Sequence, residues 1–216
     1  EDCGLLCITA EQGVGDVIQQ LAAFHYLEGR QVMLWVEPRL VDIVQRSFPW
    51  ARVTGDKREI LFASCSSTSR KAMLGDIQAR YIRSAADWNR PSWIARSRQP
   101  EGNLTIGLAW DSTRNDGRVR KGMDLEAFAP IIDSGHKVVN LQHGPSGNTP
   151  RLPRNGVLPE NLESLVWAIT GCHAVVTTSN SVAHFSAALG VPTHLILPDD
   201  RVVYWYWQYD GNSPIY

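Results

Sequence analysis

The chain has 216 residues, 44% hydrophobic and 20% charged, with a formal net charge of −1. That composition supports a real apolar core in one large domain or two small ones. The near-neutral charge excludes a global attraction to nucleic acid or anionic membranes, and no apolar run approaches the roughly 18 residues that cross a bilayer. Leu5-Leu-Cys-Ile8 reads as a buried strand and Asp16 to Leu27 as a helix. Val32 to Val36 is a second strand, and Pro38 to Phe48 a second helix opened by its proline. Arg52-Val53 and Ile60-Leu-Phe-Ala63 are weaker strands, while Ser69 to Met73 and Gly75 to Arg80 read as short helices. Ser97-Arg-Gln-Pro-Glu-Gly-Asn103 is a linker, with proline, glycine and charge together.

Beyond the linker the alternation restarts. Leu104 to Trp110 is a strand, Asp124 to Ile132 a helix, Lys137 to Leu141 a strand and Leu162 to Thr170 a helix. Ala174-Val175-Val176, a helix ending at Gly190 ahead of Pro192, and the strand His194 to Leu197 complete the set. Strand-helix alternation implies parallel sheets. The expected fold is α/β, two small Rossmann-like halves facing a cleft: residues 1–97, residues 104–200, and a closing helix over 201–216. The start at Glu1-Asp2, almost at once in a strand and without a signal peptide, reads as an excised cytoplasmic domain lacking an upstream part.

Four cysteines (Cys3, Cys7, Cys65, Cys172) fit neither a zinc site nor a disulfide framework, and the six histidines do not cluster. The expectation is reduced, structural cysteines, no metal and no cofactor.

Three places carry candidate chemistry. Ser179-Asn180-Ser181 puts hydroxyls and backbone amides at a helix start, which suits a phosphate or diphosphate; plain N-capping explains the same residues equally well. Gly13-Val-Gly-Asp16 occupies the turn after the first strand; the glycines suit a tight turn and close ligand approach. It is not a dinucleotide fingerprint, because Ile18 stands where the third glycine belongs. By position alone Asp16 is an N-cap. The loop Asp111 to Lys121 holds Arg114, Arg118, Arg120 and Lys121 against two carboxylates, and such a loop either clamps a diphosphate or is simply solvated.

Ser181-Val-Ala-His184 and Ala187-Ala-Leu-Gly190 resemble the sugar-nucleotide segment of heptosyltransferase-like glycosyltransferases (glycosyltransferase family 9 type). The resemblance is nearest to the version found C-terminal to tetratricopeptide repeats. Glu11 to Gln19 resembles that family's opening motif, and Trp205-Tyr-Trp207 with Ser213-Pro214 its closing one, so the likeness runs from about residue 5 to the C-terminus in the right order.

The resemblance implies the GT-B fold and an inverting, metal-independent transfer from a nucleotide-diphosphate sugar to a hydroxyl acceptor, whether glycan, lipid-linked or protein. Asp16 is then the base, and Gly13 and Gly15 form the acceptor-side loop. Ser112, Thr113, Arg114 and Lys121 approach the donor phosphates, with Lys121 foremost. His143, where relatives carry lysine, keeps a hydrogen-bond donor. His184 either supports the phosphate loop or touches the ligand. The family's aspartate is replaced by Ser179, which supplies no negative charge, and its frequent threonine by Asn180. These departures bear on sugar identity and on activity. The aromatic patch Tyr204, Trp205 and Trp207 either stacks on a ligand or packs a closing helix. The alternative is a non-catalytic nucleotide- or sugar-binding module of a larger protein. A sugar-nucleotide epimerase on the same fold lacks an evident acid–base pair.

Overall fold

The computed structural model describes residues 4–88, 92–96, 98–112, 122–144, 147, 149–152, 161–197, 207, 209–210 and 213–214. The chain divides into two compact units, Glu1–Ala95 and Arg96–Tyr216.

In the first unit, β1 (Leu6–Thr9), β2 (Val32–Trp35), β3 (Arg52–Thr54) and β4 (Arg70–Met73) form a parallel sheet of order β3-β2-β1-β4. Helix α1 (Val14–Gln20) continues as a tighter 3-10 stretch, Leu21–Leu27, and α2 (Val41–Ser47) follows a proline-led 3-10 turn. Helix α3 (Lys57–Ala63) packs on β1 to β3, and α4 (Leu74–Tyr81) on α1. Ile8, Ile18, Leu21, Phe24, Leu34, Leu40 and Ile43 are fully buried. Phe24 meets Phe48 edge-on at 5.0 Å and stacks on Trp50 at 5.1 Å, contacts worth about 0.5–1.5 kcal/mol each beyond their buried area.

The second unit is also a parallel sheet with helices, in a different strand order. Strands β5 (Thr105–Ala109), β6 (Lys137–Asn140), β7 (Ala174–Thr178) and β8 (Thr193–Ile196) form a parallel sheet of order β6-β5-β7-β8. Helix α5 (Ala129–Ile132) follows a 3-10 turn capped by Asp124; α6 (Leu162–Thr170) and α7 (Ser181–Ala188) pack together. Gly107 on β5 has no room for a side chain: a Cβ there would lie 2.5 Å from Leu141 Cδ1 and 3.0 Å from Cys172 Sγ. Burial pushes the Cys172 thiol up to about 11, so this cysteine is inert packing.

Arg96, just before the linker, and Arg98 within it end two helices of this unit. Arg96 donates to the Leu189 and Gly190 carbonyls past α7. Arg98 donates to Trp167 O of α6 and lies 3.8 Å above the Trp167 ring. Cations at helix C-termini satisfy orphan carbonyls and oppose the helix dipole.

Three expectations need correction. Ile60 to Ala63 is the end of helix α3, not a strand. Its start is capped by Asp56, which accepts from Arg58 N at 2.9 Å, and only Ile60 is buried, while Phe62 is 86% exposed. A four-residue apolar run fits either period, and here the cap decides. Ser69 to Met73 is not a helix: Arg70–Met73 is β4, an edge strand paired only with β1 and largely exposed, which is why it reads as polar. Of the helix expected over 201–216, described Trp207 falls in a 3-10 turn, whereas β9 (Tyr209–Asp210) and β10 (Ser213–Pro214) pair as two short antiparallel strands. Among the described residues no helix is long and apolar enough to cross a membrane.

Candidate functional site

The two strand orders place the site. In each sheet the chain builds outward from its first strand, then returns to that strand's other side: β1 separates β2 from β4, and β5 separates β6 from β7. Ligands of open α/β sheets bind outside the carboxyl ends of the strands at such a switch point. In the second unit the loops at that point are Trp110-Asp111-Ser112 after β5 and Ser179-Asn180 after β7.

Side-chain amides tie these loops together. Gln142, buried just past β6, accepts from Trp110 N at 2.9 Å and Asp111 N at 2.8 Å, and donates to the carbonyls of Asp111 (3.2 Å) and His143 (3.0 Å). Asn140 accepts from Gln142 N and donates to Gly147 O and Leu152 O. Asn180 donates to Asp111 O from the far side, at 3.2 Å. The Asp111 backbone is thus held from both neighbouring strands, and the buried polar groups that hold it are themselves paired, as burial demands.

The cationic loop leaves and rejoins the fold at this point. Met123 N donates to Trp110 O at 2.8 Å, and a Cβ on Gly122 would come within 3.0 Å of Asp111 Cα and 2.2 Å of its Oδ1. The stems of the loop touch, and only glycine fits at the return. Ser112 is described and half-buried, with its amide on Asp111 Oδ1 at 2.8 Å. Thr113, Arg114, Arg118, Arg120 and Lys121 lie outside the described residues.

Helix α7 opens on the same edge. Asn180 is its N-cap, its Oδ1 accepting from Val182 N (2.9 Å) and Ala183 N (3.4 Å). The cap therefore occupies two of the helix's orphan donors itself. Ser181 is the first helical residue and half-buried. Ser179 is buried and its hydroxyl accepts from Trp207 Nε1 at 2.9 Å. His184 is 4% exposed with its ring 4.9 Å from the Trp207 ring, and burial lowers its pKa to about 3. It is a neutral ring inside the fold and presents no cation to a phosphate. His143 is exposed at the carboxyl end of β6, before Gly144, whose φ of 79° requires glycine. Tyr204 and Trp205 lie outside the described residues.

In the first unit the β1–α1 loop is built differently. Helix α1 starts at Val14 with Gly13 as its cap, so Asp16 is the third helical residue and half-buried. The left-handed residue is not a glycine: Gln12 has φ 75°, whereas Gly13 is extended at φ −79°, ψ 164°. The tight turn expected of Gly13 and Gly15 thus falls on Gln12, a conformation that strains a side-chain-bearing residue. Glu11 overhangs Gly75 of α4, where a Cβ would sit 2.9 Å from Glu11 Oε1 and 3.4 Å from Gln20 Nε2. Buried Gln19, Gln20 and Gln78 each keep one amide atom without a partner among the described residues.

Asn140, Gln142 and Trp207 are the contributors the sequence reading missed as braces. The signal for the first two was present: amides at alternate positions in Asn140-Leu-Gln142, at the carboxyl end of an apolar strand. No local signal links Trp207 to Ser179. Among the described residues no three His, Cys, Asp or Glu side chains gather as a metal-ligand set.

No protein-family model matches the chain, and no curated protein matches it in sequence. Solved structures do. Dodecameric iron-containing heptosyltransferase TibC, from enterotoxigenic E. coli H10407 and solved with ADP-D-β-D-heptose, matches at TM-score 0.57 and 14% identity, over 91% of this chain. The match spans 59% of the TibC chain, less than two thirds of its length. E. coli heptosyltransferase WaaC with ADP-2-deoxy-2-fluoro heptose matches at TM-score 0.59 and 14% identity, covering 97% of this chain and 92% of WaaC. E. coli ADP-heptose LPS heptosyltransferase II matches at 0.60 and 14%, covering 90% and 84%. At these identities the likeness is one of fold: the chain has the two-sheet α/β architecture, GT-B type, of the heptosyltransferases.

Proposed function

We propose that the chain is a glycosyltransferase that moves a sugar from a nucleotide-diphosphate donor to a hydroxyl acceptor, with inversion and without a metal ion. The observation that carries the reading is the braced switch point of the second unit. There a cap-organised helix start and the stems of a four-cation loop meet at one backbone, that of Asp111. Helix N-termini and charge-assisted donors stabilise the negative charge that grows on a diphosphate leaving group. Ser112, Ser181 and His143 stand on this edge; Thr113, Arg114 and Lys121 belong to its loop by sequence. TibC was solved with ADP-D-β-D-heptose and WaaC with ADP-2-deoxy-2-fluoro heptose, which supports a nucleotide sugar as the partner.

Asp16 is assigned as the base. Its carboxylate takes the acceptor's proton as the acceptor oxygen bonds the anomeric carbon from the face opposite the diphosphate. The carbon–oxygen bond to the diphosphate breaks, and the nucleoside diphosphate leaves with the electron pair. A second reading, a binding module without turnover, is favoured by one observation: Ser179, in the place of the family's aspartate, is engaged by Trp207.

Asp16→Asn separates the two. Asn keeps the size and the hydrogen bonding of a first-turn residue, so stability and donor affinity should persist while turnover falls by roughly 10²–10⁴-fold. Equal turnover in Asp16→Asn would remove the base. No turnover of any nucleotide sugar bound by the wild type would establish the binding module.

A further inference from the structure

We infer that Trp207 is the positioning residue of the candidate donor site: its indole latches the β7–α7 loop, and Ser179 is the catch. The inference rests on the donor-site reading above and concerns residues that touch no ligand themselves.

One side chain meets three elements. The Trp207 indole N–H donates to Ser179 Oγ, in the loop leaving β7, at 2.9 Å. Its face lies against the His184 ring in the first turns of α7, at 4.9 Å and 32°. Trp207 clusters with Ala183 of α7, and Leu195 of β8 and Leu197 just past it pack against that pair. Ser179, His184 and Trp207 are 9%, 4% and 3% exposed, so the contact is dry. A dry indole hydrogen bond is directional, and losing the donor leaves a buried hydroxyl oxygen to be satisfied elsewhere.

The loop it holds is the one that matters for the ligand. Ser179 directly precedes Asn180, whose side chain both caps α7 and reaches Asp111 O across the switch point. Asn180 fixes the loop toward β5, and Trp207 fixes it from behind. A loop pinned from both sides presents its first helical turn in one geometry, which lowers the ordering cost of ligand binding. The assignment also gives the serine a reason: the hydroxyl at 179 serves a protein contact, so sugar recognition falls to other residues. His184 contributes the flat apolar face that seats the indole.

The test uses the whole chain and ADP as the nucleoside diphosphate probe. Trp207→Phe keeps one aromatic ring and removes the pyrrole half with its N–H; Ser179→Ala removes the acceptor; the double variant removes both. Each single variant should weaken ADP by roughly 5–10-fold and speed amide exchange at residues 179–183 by at least tenfold. The double variant should add little to either, because both singles break one contact. Ser179→Asp, which restores an acceptor, should recover the exchange protection. Trp93→Phe, which loses an indole bond to Ile18 O in the first unit, serves as the control for a general loss of stability. It should leave ADP affinity and exchange at 179–183 unchanged.

Unchanged exchange in Trp207→Phe overturns the latch. Faster exchange with unchanged ADP affinity also overturns it, leaving a structural contact only. Should the wild type bind no ADP or other nucleoside diphosphate, the donor reading fails. The positioning role fails with it, while exchange still reports whether the indole holds the loop.

Discussion

The two units are both four-stranded parallel sheets, wound in different strand orders, and they finish their ligand-facing edges in opposite ways. In the second unit Gln142, itself held by Asn140, ties the loop after β5 to the end of β6, Asn180 ties it to the loop after β7, and the stems of the cationic loop close on each other. In the first unit the loop after β1 turns through a left-handed Gln12, α1 starts on a glycine without a side-chain cap, and three buried amides keep an unmatched atom among the described residues. One edge is preorganised; the other carries strain and unmet polarity, both of which cluster at functional sites. On the proposed reading the fixed edge receives the nucleotide, a constant ligand that repays preorganisation, while the strained edge holds Asp16.

Breaking the braced edge should give the largest effect. Gln142→Ala leaves the amides of Trp110 and Asp111 without their acceptor and should cost roughly 3–5 kcal/mol in urea unfolding, together with the loss of nucleotide affinity. A loss under about 1 kcal/mol would mean the loops hold without it. Lys121→Ala should leave the fold intact and weaken a nucleoside diphosphate by about 1–3 kcal/mol in calorimetric titration; unchanged affinity removes Lys121 from the site.

Acid should act on the second unit through His184. Its folded pKa, about 3, lies below the ordinary 6.5, so the unfolded chain takes up the proton first. The stability contributed above pH 6.5 is lost as pH falls toward 3, about 1.4 kcal/mol per unit. Unfolding free energies at pH 7.5 and 5.5 should differ by about that much in the wild type and by less in His184→Phe. The smallest effect belongs to the first unit. Gln12→Gly relieves the left-handed strain and should stabilise by about 0.5–1 kcal/mol, and a destabilised variant would mean the Gln12 side chain makes a contact that outweighs it.

Much of this architecture was legible in the sequence because it is local. Strands β1, β2, β5, β6, β7 and β8 are apolar runs bounded by turn residues, and the Asn180 cap and the Gly190 stop, at φ 66°, are helix signals readable within a few residues. Strand β4 and helix α3 were misread for one reason: both are largely exposed, β4 as the sheet's edge strand and α3 with only Ile60 buried, so burial writes no period into their sequence. The braces were hidden because they depend on distant partners, Gln142 on a backbone 31 positions away and Trp207 on a hydroxyl 28 away. A resemblance in motif order found the fold, while the support beneath the motif emerged only from three-dimensional contacts.

On the proposed reading the braced edge of the second unit binds a nucleoside diphosphate. Calorimetric titration of the wild-type chain with ADP and with the other nucleoside diphosphates, each in the presence of a chelator, tests it most directly. At least one should bind at one site with the chelator present, and the corresponding nucleoside should bind at least tenfold more weakly, because the diphosphate supplies the charge the helix start and the cations recognise. Equal affinity for nucleoside and nucleoside diphosphate, binding that returns only with added magnesium or manganese, or no binding at all would contradict the account.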